Sequence, residues 1–324
     1  MSELRFGAFA PQGWKLEYAG WEASDAWART VELAQLAERV GYDHLWVYDH
    51  VETVPRREPE VMFEAFTMLA ALAPLTERIR LGQLVTCAAY RNAGLLAKEA
   101  AGIDVISGGR LILGLGAGWY EREYRAYGYE FPSARDRLAR LEETVTVVRR
   151  LWSEERVDFE GRHLRFEGAY CDPKPIQARP PIWVGGGGER VTLRIAAEHA
   201  DATNWQVGLE EFVHKSAVLR EHCERVGRDF EEITRTHAPD CRLFDSDADL
   251  ERWMGSPEGG HIWGVVDPHA YVRDGFVGTP ERVAEKVQAY VDAGCREFVL
   301  WFRDFPAHDS LERFMVDVVP RVEV

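Results

Sequence analysis

Four consecutive glycines, Gly185-Gly186-Gly187-Gly188, lie between an apolar run and an amphipathic one, with Glu189 after them. Glycine lets a backbone turn tightly and approach a ligand, and a helix N-terminus offers free N–H groups to an anion. A plain tight turn also uses glycine, but one turn rarely needs four, so the run reads as a phosphate site. Asp49-His50 closes another apolar run. The pair could hold a ring N–H, a substrate or a metal, or Asp49 could cap a surface turn. Histidine, with an ordinary pKa of about 6.5, can give and take a proton near neutrality. Neighbours on a strand point to opposite faces, so Asp49 and His50 should not reach one ligand from the same direction.

Gly114, Gly116 and Gly118 alternate in a third place. Their spacing, G-x-G-x-G rather than G-x-G-x-x-G, does not recommend a dinucleotide site. They would clear space for a flat ring or allow close strand–helix packing. Trp119, Tyr120, Tyr124, Tyr127 and Tyr129 follow. They read as a helix packed on a rim, or as a lid excluding water from a reactive cofactor. Metal chemistry is disfavoured and no metal is expected. There is no HExxH, the first strand reads Arg5-Phe6-Gly7-Ala8-Phe9 without a His-x-His pair, and His237 with Cys241 lacks a third ligand nearby.

These residues need elements to position them. Strands are expected at Leu4–Phe9, His44–Tyr48, Ile79–Val85, Arg110–Leu115, Ile182–Val184, Ala202–Trp205, Ile233–Phe244 and Glu297–Phe302. Helices alternate with them: Asp25–Val40 behind a Ser24 cap, Met62–Ala73 stopped by Pro74, and Asn92 capping a helix to Ile106. Ser133 opens a helix to Trp152, and further helices are expected from Glu189 to His199, Glu210 to Val226 and Ala307 to Val319. Thr279 caps Pro280–Ala293. A small hairpin and a proline-rich stretch fit 153–181, and 245–277, with Gly255, Gly259, Gly260 and Gly264, is an irregular excursion. Eight strands alternating with helices imply an α/β protein with a parallel sheet. At this length a (β/α)8 TIM barrel with an enlarged insertion between strands 4 and 5 is expected, with a doubly wound open sheet as the runner-up. No repeat or linker divides residues 1–324, so a single domain is expected. Ligand chemistry then belongs on the loops after the strands: Asp49-His50, Thr86–Asn92, Gly114–Trp119, Gly185–Glu189 and Asn204-Trp205.

The formal net charge is −15, which argues against nucleic acid or an anionic membrane as partner. Five scattered cysteines without a CxxC pair indicate neither a disulfide framework nor a zinc ribbon. No apolar run is long enough to span a membrane, and the start lacks a signal peptide's apolar region, so a cytoplasmic location is expected.

Three stretches in order carry a family resemblance: Ile79–Thr86, Ala100–Leu111 running on to Gly114–Trp119, and Pro173–Gly188. Together they resemble luciferase-like monooxygenases, most of all the actinobacterial branch that uses coenzyme F420, a deazaflavin. The resemblance covers nearly the whole chain. It implies a barrel, often a homodimer, with the flavin-type ring at its mouth and the cofactor phosphate at Gly185, Gly186, Gly187 and Gly188. It further implies a non-prolyl cis peptide in a bulge at or near Gln83-Leu84, with Asp49, Gln83, Leu84, Thr86, Ala117 and Gly118 at the cofactor and His50 as catalytic residue. The activity implied is hydride transfer between F420 and a small organic substrate. The alternatives are an FMN monooxygenase fed by a separate reductase and a non-catalytic flavin-binding barrel. One departure matters: sugar-phosphate dehydrogenases of this kind carry a catalytic Glu directly after the strand-4 glycines, where this chain has Trp119. That argues against glucose 6-phosphate as substrate.

Overall fold

The structure, a computed structural model, describes residues 4–256, 267–305 and 307–323. Gly259, Gly260 and Gly264 of the expected excursion lie outside the described residues. In chain order the elements are β1 (Arg5–Phe9), α1 (Ala23–Val40), β2 (His44–Val47), α2 (Ala65–Leu72), β3 (Arg80–Gln83), β4 (Thr86–Cys87), α3 (Ala93–Ile106) and β5 (Leu111–Gly116). Then come α4 (Glu121–Ala126), α5 (Ala134–Ser153), β6 (Val157–Glu160), β7 (Arg165–Ala169), β8 (Ile182–Gly185), α6 (Thr192–His199), β9 (Ala202–Trp205) and α7 (Leu209–Val226). The last are β10 (Thr234–His237), β11 (Asp240–Leu243), α8 (Asp247–Met254), α9 (Pro268–Asp274), β12 (Phe276–Gly278), α10 (Pro280–Asp292), β13 (Glu297–Phe302) and α11 (Asp309–Arg313).

Eight parallel strands close into a ring in the order β1, β2, β3, β5, β8, β9, β10, β13, and β13 pairs back onto β1 with Phe6 opposite Phe298. This is the expected (β/α)8 barrel and not an open sheet. Between β5 and β8 the chain runs through α4, α5 and the antiparallel pair β6–β7. Aliphatic side chains fill the layer between ring and helices, while an inner cluster of Trp46, Ile112, Trp183, Ala202 and Val299 fills the barrel.

Several boundaries differ from expectation, each for a local reason. The third strand breaks after Gln83 at a cis Leu84–Val85 bond, one residue beyond the expected place, and resumes as β4 against β5. The seventh strand breaks at Ala238-Pro239, since proline cannot donate to a ladder; β11 then leaves the ring to pair with β12. Asn92 and Ser133 cap α3 and α5 through their side chains as expected. Ser24 does not cap α1, which begins two residues earlier, at Ala23 behind Glu22, and Thr279 holds the cap position of α10 without a side-chain capping bond. Helix α2 begins at Ala65 because the Glu64 carboxylate accepts from the N–H groups of Phe66 and Thr67.

Two stretches that carry the family resemblance turn out to be fastened to each other. Asp104, fully buried on α3, accepts from Gln177 N (3.0 Å), Gln177 Nε2 (2.7 Å) and Leu111 N (3.3 Å), pinning the proline-rich approach to β8 against the start of β5. Truncating Asp104 would strand buried donors, at a cost of about 1–3 kcal/mol for each unsatisfied group. Asp104→Ala should therefore lower stability by at least about 2 kcal/mol, read as a shift in the denaturant midpoint by circular dichroism. A midpoint equal to that of the parent would refute the clamp.

Candidate functional site

At the C-terminal ends of the strands lies a cavity of about 510 Å³, within the size range of small-molecule sites. One wall is the bulge at Leu84-Val85. A Cβ on Gly114 would fall 1.9 Å from Gln83 O, one on Gly116 2.5 Å from Val85 Cγ2, and one on Gly185 2.6 Å from Val85 Cγ1. The alternating glycines of β5 and the first glycine of the run thus leave room for the bulge, which neither sequence-level alternative anticipated. Asp49 fastens the bulge from β2. Its carboxylate accepts from Cys87 N at 2.8 Å and from Arg91 Nη1 at 2.8 Å, and Arg91 continues to Glu64. Burial pushes the Asp49 carboxyl up, against the pull of Arg91 and the Cys87 N–H.

His50 takes the other direction. Its ring stacks on Trp14 with centroids 4.3 Å apart and planes within 3°. His50 Nδ1 lies 2.8 Å from Glu123 Oε2. Glu123, fully buried on the short helix α4, also accepts from Tyr90 Oη at 2.7 Å, Val51 N at 2.6 Å and Glu52 N at 3.0 Å. Burial works to raise the Glu123 carboxyl, but the hydrogen bond and charge of His50, with the Val51 and Tyr90 donors, outweigh it and hold the group below the usual carboxylate range. Glu123 is therefore an acceptor at neutral pH. His50 Nδ1 carries the hydrogen, which leaves Nε2 as the atom able to take or give a proton.

Sequence reasoning missed Glu123. It lay in a segment read for its aromatic residues, and the available signal was its place between Tyr120 and Tyr124 on one helical turn. The aromatic segment itself is docked. Tyr124 is buried with its hydroxyl 2.8 Å from Cys87 Sγ, Tyr127 Oη donates to Val51 O at 2.8 Å, and Tyr129 stacks on Tyr90. Trp119 and Tyr120 stand at the rim, Trp119 65% exposed. Burial pushes the Cys87 thiol up to about 11, so it is no ready nucleophile.

Opposite, Gly185 ends β8, Gly186 has φ +126°, and Gly187 O accepts from Lys215 Nζ at 2.8 Å. Helix α6 starts only at Thr192, three residues later than expected, so the glycines form a loop and not a helix tip. Gly186 N–H donates to Asn204 O at 3.3 Å, whereas the Gly187 and Gly188 N–H groups have no protein acceptor among the described residues. Of the residues expected at a cofactor, Asp49, Leu84, Ala117, Gly118, Gly185, Gly186 and Gly187 line the cavity with His50. Gly188 does not. Gln83 and Thr86 are buried behind the bulge, with the Gln83 amide and the Thr86 hydroxyl unpartnered. His237 is structural: it meets Trp205 O at 3.0 Å, stacks on Tyr290, and burial takes its pKa down to about 4. Among the described residues the acidic group that could hold a metal, Glu142, Glu198 and His199, sits on α5 and α6, outside the cavity lining, with Arg194 bound to both glutamates.

Comparison with known proteins bears on the family and the fold. The family model for luciferase-like monooxygenases matches residues 4–265. The F420-dependent glucose-6-phosphate dehydrogenase of Kineococcus radiotolerans is 31% identical, over 94% of this chain and 96% of that protein. Two solved structures share the fold. An F420-dependent secondary alcohol dehydrogenase in complex with an F420–acetone adduct has a TM-score of 0.82 at 21% identity, covering 99% of this chain and 100% of the other. The oxygenating constituent of 3,6-diketocamphane monooxygenase from Pseudomonas putida, in complex with FMN, has a TM-score of 0.79 at 20% identity, covering all of both chains. The chain belongs to the luciferase-like monooxygenase family.

Proposed function

We propose that this chain is an oxidoreductase that transfers hydride between coenzyme F420 and a small organic substrate, acting as a homodimer. The observation that carries the reading is His50: it lines the cavity, its Nδ1 is fixed by a buried carboxylate, and its Nε2 is left for a substrate proton. The residues present fit a flavin-type group. Gly187, which lines the cavity, offers an unused N–H donor for a phosphate, in the manner of other glycine-rich anion sites. Leu84, Ala117 and Gly118 offer a wall of small and apolar surface beside the bulge, which Asp49 holds in place. When bound, a deazaflavin supplies a ring carbon that accepts or returns a hydride. His50 Nε2 would take the proton from a substrate hydroxyl in the oxidising direction and return it in the reducing one. Glu123 accepts from Nδ1 and so keeps the tautomer. FMN, supplied in reduced form by a separate reductase, is the alternative cofactor on the same scaffold.

Two experiments test the reading. Titration of the cofactor-free protein with F420 and FMN, each oxidised and reduced, should give the tighter binding with F420. Preference for FMN in both redox states would overturn the cofactor assignment.

The second is a double-mutant cycle on turnover, followed by F420 absorbance with any alcohol the protein oxidises. His50→Ala should lower kcat by at least about 100-fold, the lower bound for general acid–base catalysis, with F420 affinity unchanged. Glu123→Gln should lower kcat by less. Combining the two should add little to His50→Ala alone, because Glu123 acts through His50. Independent, multiplying losses would refute that coupling.

A further inference from the structure

The wall opposite the glycine loop carries a charge without a partner. In the closed ring β1 and β8 stand four places apart among eight strands, on opposite sides of the mouth. The loop after β1 brings Trp14 and Lys15 to the cavity. Lys15 Nζ lies 4.2 Å from the Trp14 ring centroid and 4.7 Å from that of Trp301. Trp14 is the ring on which His50 stacks, so Lys15 and the proposed proton carrier share one indole.

Among the described residues the Lys15 ammonium has neither a hydrogen-bond acceptor nor an ion pair. The nearby acids are engaged or weakened. Glu17 accepts the Lys15 backbone N–H at 2.7 Å, and burial raises its carboxyl. Asp240 is bound by Arg303 Nη2 at 3.1 Å. Burial first, then Arg303, brings the Lys15 pKa down to about 8. Two residues of ordinary fixed charge line the cavity, and the other, Asp49, is neutralised by Arg91. An unpaired, partly desolvated cation is costly, and indole faces offset that only in part. An anionic ligand group would complete the site.

We propose that Lys15, between Trp14 and Trp301, binds the substrate's carboxylate, so that the chain acts on an organic acid with a flat apolar body. The body would lie along the aromatic wall of Phe9, Trp14, Tyr48 and Trp301, with the reacting carbon toward His50. A single lysine suits a monoanion. A phosphate dianion calls for more donors, and Arg303 is already held by Asp240. Only the direction of the reacting carbon rests on the hydride-transfer reading; the anion site does not.

Calorimetric titration of both the cofactor-free and the F420-loaded protein with benzoate, benzamide and inorganic phosphate tests the site. Benzoate should bind one to one, with benzamide at least about 10-fold weaker, as loss of a charge-assisted contact implies. Lys15→Gln should weaken benzoate by about 10-fold or more and leave benzamide and F420 unchanged. Equal binding of benzoate and benzamide, an unchanged benzoate affinity in Lys15→Gln, or phosphate binding more tightly than benzoate would each overturn the proposal, as would no benzoate binding at all. Should Lys15→Gln fail to fold, a pH series on the parent decides. Benzoate affinity should fall as the pH passes about 8, where Lys15 loses its proton. The groups around Lys15 are Arg303, Asp240, Glu17 and, across Trp14, His50; benzamide meets the same groups, so its series subtracts their titration. A benzoate affinity that stays level overturns the site. Failure of F420 to bind would count against the cofactor reading alone, since the cofactor-free titration stands by itself.

Discussion

A carboxylate buried away from water must be satisfied on both oxygens, and the mouth of this barrel is organised around one that is. Glu123 collects His50, the backbone N–H groups of Val51 and Glu52, and the Tyr90 hydroxyl. Those donors come from the loop after β2 and the loop after β4, while Glu123 itself arrives from the segment after β5. One group therefore locks three otherwise separate loops in register. Breaking such a set leaves an uncompensated buried charge or unpaired donors, each expensive in a low-dielectric setting. Asp49 repeats the device one residue from His50, joining β2 to β4 and, through Arg91, to the cap of α2. Of the two acids, Asp49 binds Cys87 N and Arg91, and Glu123 binds His50. The one holds the wall and the other holds the histidine.

Much of this was legible in the sequence and some was not, for physical reasons. Period-2 and period-3.6 patterns located all eight ring strands because each element buries its apolar face against the next layer. The boundaries that shifted were set by single local features that periodicity does not carry: Glu64 capping its own helix start, Pro239 interrupting a ladder, and the Leu84-Val85 bulge breaking β3. Gly114, Gly116 and Gly118 were visible as a set, yet their use depended on what filled the space beside them. For Gly114 and Gly116 the neighbours are Gln83 and Val85; for Gly118 they are the Tyr124 hydroxyl and Cys87. A glycine spacing records that something comes close; it does not record what. Glu123 was invisible for a related reason. An acidic residue on an acidic, Tyr-rich turn looks solvated until the loops that bury it are known.

The placement of the site follows from the closed ring. An open sheet would offer one crevice, whereas a barrel sets facing walls across a mouth with independent chemistries. Here the β8 wall is backbone, small and rich in N–H groups, while the β13–β1–β2 wall is aromatic, with a lysine and a histidine among its rings. A ligand that spans them must be long, with one end suited to bare amides and the other to indole faces. A cofactor and a substrate laid end to end meet that description better than a single compact molecule does.

Trp119 sharpens the division of labour. It meets His50 edge-on at 6.0 Å with most of its surface in solvent. Among the described residues no free carboxylate lines the cavity: Asp49 is bound to Arg91 and Glu123 is buried behind His50. The tyrosines Tyr48 and Tyr90 and the thiol of Cys87 are all pushed up by burial, away from neutrality. With Lys15 given to a substrate anion as proposed, proton transfer in this cavity falls to His50. A single histidine fixed at Nδ1 can serve only one proton at Nε2 in each direction. That matches a reaction in which one hydride and one proton leave or join adjacent atoms, and it does not provide for chemistry requiring a separate acid and base at the same time.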